Sequence, residues 1–137
     1  MARTVTLPNA EILTGTRTVS ASENGKTFFL NSATEFVTTL PSPAIGLKFR
    51  FIVKAAPSGA SYTIVTASSA NIFAGSIASS DLDAAGDAGF DDDGDTITFV
   101  DSKAVAGDWV EVESDGTVWY VSGQSKVFDG VTVTKVS

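Results

Sequence analysis

The sequence has no cysteine and no histidine. Disulfides, thiolate nucleophiles, imidazole metal ligands and every Ser-His triad are therefore excluded. It has no apolar run long enough to span a bilayer as a helix, and no apolar segment near its start resembling a secretory leader. Ala2 stands where N-myristoylation needs glycine. Neither a Walker motif nor a dinucleotide fingerprint is present. No residue set points to catalysis, so the chain is read as a non-enzyme without a cofactor.

What is present is 137 residues, enough for one domain, with 43% hydrophobic and 18% charged side chains. The net charge of −7 is unevenly spread. Residues 1–54 carry six Lys/Arg and three Asp/Glu, whereas residues 55–137 carry three and thirteen. So acidic a second half argues against nucleic acid and against anionic membrane as partners. It suits a molecule that sets one charged side against a protein partner and the other toward solvent.

The pattern is β throughout. In "LKFRFIVKA" Phe49, Phe51 and Val53 alternate with Lys48, Arg50, Ile52 and Lys54, a period of two with one buried face. "GKTFFLN", "TEFVTTLP", "SYTIVTA", "NIFAGSI" and "DTITFVD" add short β-forming runs, with Ile97 and Phe99 inward in the last. Asn24-Gly25 and Asp115-Gly116 signal tight turns, and "LPSPAIG" is a loop by its prolines. The clearest hairpin is "GDWVEVESDGTVWYVSG". Val110 and Val112 share one of its faces, Glu111 and Glu113 the other, and "TVWYV" is apolar on both. A strand apolar on both faces calls for a second layer, here expected to be a subunit interface at Trp119 and Val121, with Ile52 joining them. Trp109 and Trp119 are read as packing residues rather than sugar platforms. The tail around Asp129-Gly130 is expected to give two short strands. The fold class is all-β: a compact antiparallel β-sandwich or barrel. Residues 1–15 are read as an extended N-terminal arm and 16–137 as the β domain. The arm either packs on its own domain or adds to another chain, in the latter case through Arg3, Val5, Leu7, Pro8 and Ile12.

Residues 67–95 form a small-residue and acidic loop excursion; seven of the fifteen residues 81–95 are aspartate. Neither of two EF-hand frames fits the run: starting at Asp81, position 5 is Ala85 and position 12 is Asp92 rather than Glu; starting at Gly89, position 1 has no side chain and position 12 is Val100. A solvated acidic loop is the favoured reading. An irregular calcium site built on Asp81, Asp83, Asp91 and Asp93 is the lesser alternative.

Two stretches carry a resemblance: "SASENGKTFFLNSATEFVTTLPSPAIGLKFRFIVKAAPSG" (20–59) and "GDWVEVESDGTVWYVSG" (107–123). Together, and in this order, they resemble sequences of tailed-bacteriophage virion structural proteins, most like head decoration (capsid cement) proteins. That resemblance implies a homotrimer on the outer capsid surface of a virion assembled in the bacterial cytoplasm. Its partner would be the major capsid protein, whose neighbouring subunits it clamps. A trimeric tail-fibre or receptor-binding module is the alternative implied.

Overall fold

The computed structural model describes residues 9–32, 34–80, 90–91 and 93–136. They form eleven strands in two packed sheets. The strands are β1 (Ala10–Leu13), β2 (Arg17–Thr18), β3 (Thr27–Leu30), β4 (Phe36–Thr39), β5 (Lys48–Val53) and β6 (Tyr62–Val65). They continue with β7 (Phe73–Ser79), β8 (Thr96–Phe99), β9 (Trp109–Ser114), β10 (Trp119–Ser125) and β11 (Val131–Thr134). Among the described residues the only helical pieces are two short 3-10 turns, Ala21–Glu23 and Ala67–Ser69.

The first sheet has the order β1-β3-β5-β9-β10-β7 and the second β11-β8-β6-β4-β2. From β1 to β9 the chain changes sheet at every step. Successive coils therefore stack strands in parallel: β1, β3 and β5 in the first sheet, β2, β4 and β6 in the second. β7 also runs parallel to β10. Antiparallel pairing joins β5 to β9, β9 to β10, β6 to β8 and β8 to β11. The all-β sandwich is as expected from the sequence, but the sheets are mixed rather than antiparallel, and they do not close into a barrel. A period of two shows which side chains face inward and is blind to the direction of the neighbouring strand.

Inward positions build one core. Phe28 stacks on Phe51 with centroids 5.3 Å apart, and Phe49 meets both Phe28 (6.4 Å) and Trp119 (6.1 Å). On the second sheet Phe36 packs on Tyr62 at 4.8 Å. The Tyr62 hydroxyl donates to the Ser32 and Ala55 carbonyls, so its polar end is satisfied where the ring is buried.

Three sequence expectations change. Ala10–Leu13 of the expected arm pack on the chain's own domain, because β1 lies in the sheet and Leu13 belongs to the core, and residues 1–8 lie outside the described residues. Asn24-Gly25 is a turn, as expected, although it joins no two paired strands. It ends a 3-10 turn and ties to β5, with the Gly25 amide donating to the Lys48 carbonyl and the Lys48 amide to Asn24 Oδ1, both at 2.8 Å. The tail holds one strand, β11, since Val127–Gly130 is a turn closed by the Gly130 amide on the Val127 carbonyl. Trp119 and Val121 are buried inside the chain's own sandwich, so the second layer that "TVWYV" requires comes from the second sheet.

β7 is made of small residues because it runs tight against β10. Gly75 has φ +136, and a Cβ there would lie 2.0 Å from the Val121 carbonyl oxygen. Gly75→Ala therefore forces β7 away from β10. The expected loss is about 1–3 kcal/mol, the usual cost of overpacking, seen as a lower urea midpoint with an unchanged slope.

Candidate interaction surface

The first sheet turns one face to the core and one outward. Strand register places the outward side chains in rows. Ile12, Phe29, Ile52, Trp109, Gln124 and Ala78 form one row across all six strands. Ala10, Thr27, Arg50, Glu111, Ser122 and Ser76 form the next. Lys48, Glu113, Tyr120 and Ala74 form the third.

The first row is apolar over four consecutive strands. Ile12 is 51% exposed, and Phe29, Ile52 and Trp109 are partly exposed. Parallel strands are usually covered on both faces. Here β1, β3 and β5 are parallel and carry apolar side chains outward, with no element of the described residues above them. Arg50 lies over the Trp109 ring, 4.7 Å from its centroid, a cation–π contact that leaves the ring in place on the surface. Lys48 reaches Glu111 at 3.2 Å. The charged side chains of this face, Lys48, Arg50, Glu111 and Glu113, sum to zero in a chain of net −7.

At one corner the face is bounded by the β9–β10 turn. Asp115 Oδ1 accepts the Thr117 and Val118 amides, each at 2.9 Å, and the Thr117 hydroxyl at 3.0 Å. The Tyr120 hydroxyl, on the outward face, donates to Asp115 Oδ2 at 3.0 Å. The Val118 amide first, then the Thr117 amide, hold this carboxyl at about 2, below its ordinary 3.8. The same carboxylate pushes the Tyr120 phenol up.

Along the other edge, β1 has a hydrogen-bonded neighbour on one side only among the described residues. A charge cluster fixes it. Arg17 bonds Glu11 and Glu23, and Lys26 reaches Glu11 at 2.9 Å and Glu23 at 3.1 Å. Arg17 and Lys26 draw the Glu11 carboxyl below its usual range. Burial raises that of Glu23, but the Ser20 amide and the two cations outweigh it, so it too is lowered.

A recess of about 290 Å3 opens where the apolar row ends, lined by Trp109, Gln124, Ser80, Lys126 and Asp108. Asp108 is buried and spends its oxygens on the Val105 and Lys126 amides, both at 3.0 Å, so it holds the loop before β9.

The sequence-derived sites are divided by the structure. Ile12 and Ile52 share one outward row, two strands apart. Arg3, Val5, Leu7, Pro8, Asp81 and Asp83 lie outside the described residues. Asp91 and Asp93 are exposed; Asp91 accepts the Lys135 amide at 3.1 Å. Among the described residues no three acidic side chains gather as a metal site. Sequence reasoning missed Phe29 and Trp109 as surface residues. Their neighbours on the face come from strands far apart in sequence, and only the register brings them into line.

Asp115 gives a pH test. Its depressed carboxyl contributes stability above about pH 4, and this is lost as pH falls toward about 2. Asp115→Asn is expected to melt below the natural protein at pH 6, and the gap is expected to narrow progressively between pH 4 and pH 2 in thermal melts.

The scan against protein-family models finds no match, and neither curated proteins nor solved structures yield one.

Proposed function

We propose that this chain is a head decoration (cement) protein of a tailed bacteriophage, bound to the outer capsid surface and clamping neighbouring capsid subunits. The observation that carries the reading is the position of β1. Among the described residues it occupies the outer edge of the first sheet, has a strand neighbour on one side only, and presents Ile12 outward. An edge of this kind takes an added strand from another chain. The two stretches that resemble virion proteins supply β3, β5, β9 and β10, which are four consecutive strands of that sheet.

Charge placement supports the same orientation. The N-terminal half of the chain fills one side of both sheets, ending at β1 and β2, and the second half fills the other, ending at β7 and β11. Among the described residues, five cations and three anions of the first half are therefore separated edge to edge from three cations and nine anions of the second. The β1 side meets an acidic shell, and the β7 side points away from it. Of the residues expected at a trimer contact, Ile52 alone reaches the surface.

A tail-fibre or receptor-binding module is the second reading, and the recess beside Trp109 is the observation that favours it. Aromatic rings beside amide, hydroxyl and charged groups suit a hydroxylated ligand.

Binding to expanded, undecorated phage capsids separates the two. Full-length protein is expected to saturate near one copy per capsid subunit. Deletion of residues 2–8, which spares β1 and Leu13, is expected to weaken binding at least tenfold. Absence of binding by both forms, with binding to host cell surfaces, would establish the second reading instead.

A further inference from the structure

We infer that the outward face of the first sheet is a self-complementary surface that takes a second copy of this chain about a two-fold axis. The inference rests on that face alone and stands whether or not the chain decorates a capsid, but it sets a pair of chains in place of the homotrimer that the resemblance implies. The sheet has six strands, and its midline falls between β5 and β9. A two-fold axis along that midline, in the plane between two facing sheets, lays each strand on its mirror position in the order. β5 then faces the partner copy's β9, β3 faces its β10, and β1 faces its β7. Heights along the strands are unchanged by this operation, so residues that share a row within one chain also meet across the contact.

The consequences follow from the register. Lys48 meets Glu113, Arg50 meets Glu111 and Ile52 meets Trp109, each twice because the contact is isologous. Large side chains fall on small or flexible ones: Ile12 on Ala78 and Phe29 on Gln124. Tyr120, 51% exposed, falls near Gly25, whose amide bonds the Lys48 carbonyl. The β5 cations oppose the β9 anions, so the contact carries no net charge. Two chains of −7 repel least where each is neutral, and this face meets that condition. Inter-strand spacings of ~4.8 Å and rises of ~3.3 Å give a face on the order of 24 Å by 20 Å. That is at the small end for a specific interface, so a dimer dissociating in the micromolar range is expected.

Sedimentation equilibrium of the full chain over 1–500 µM tests this. The expected result is a shift from one to two chain masses across that range. A three-chain species, or a single chain throughout, would overturn it. The decisive step mixes two variants. Arg50→Glu alone sets Glu against Glu111 of its copy, and Glu111→Arg alone sets Arg against Arg50, so each is expected to dissociate at least tenfold more readily. Mixed in equal amounts, they place opposite charges at both contacts and are expected to regain the two-chain mass; failure to do so with both variants folded by circular dichroism would overturn the proposal. Ile12→Asp, at the most exposed position of the row, provides a variant outside the core and is expected to weaken the dimer several-fold. Capsid binding is measured separately, so loss of dimer with retained capsid binding, or the reverse, tells the two inferences apart.

Discussion

Everything else in this fold rests on the packing of aromatic rings between sheets whose strands alternate along the chain. Phe28, Phe49, Phe51 and Trp119 come from β3, β5 and β10, and they bridge the parallel half of the first sheet to its mixed half. Each ring buries a large apolar area, and each ring pair adds roughly 0.5–1.5 kcal/mol beyond burial. With no disulfide to close its loops, the chain holds its coils together through this cluster. The cost is visible at Trp119, whose indole N–H finds no acceptor among the described residues. The ring's burial outweighs the unmade bond, which puts about 1–3 kcal/mol against it.

The same alternation decides what the surface looks like. Because inward positions are taken by the core, the outward positions of β1, β3, β5 and β9 are set by register alone. They combine into an apolar row flanked by balanced charges. Neither property belongs to a single strand. The edge at β1 and the face beside it offer two different modes of attachment: backbone pairing at the rim, and side-chain packing over the sheet. The proposed strand addition would use the rim and the proposed self-contact the face, at right angles to each other.

Much of the architecture was legible in the sequence. The alternation in "LKFRFIVKA" places Phe49, Phe51 and Val53 inward, and "GDWVEVESDGTVWYVSG" folds as the hairpin its Asp-Gly turn announces. Strand direction was not legible, because hydrophobic alternation is the same in parallel and antiparallel pairs. For the site, Ile12 and Ile52 were within reach as apolar residues on otherwise polar faces. Trp119 misled, since a strand apolar on both sides reads alike whether its cover comes from the same chain or another. Phe29 and Trp109 required knowing which strands are neighbours, and β5 and β9 are separated by three intervening strands in the chain.

One further consequence lies in the order of pairing. Among the described residues β9 and β10 are the only hydrogen-bonded strands adjacent along the chain, and the Asp115 carboxylate closes the turn between them. Every other ladder joins segments with at least one strand between them. Loop-closure entropy must therefore be met before most contacts form, which places folding in the slow, high-contact-order regime. During synthesis from the N-terminus, the coils of β1 to β6 emerge first, with the β5 edge open until β9 arrives. A nascent chain thus carries an unpaired, partly apolar strand edge through much of its translation, and the local hairpin, last but one to appear, is what seals it.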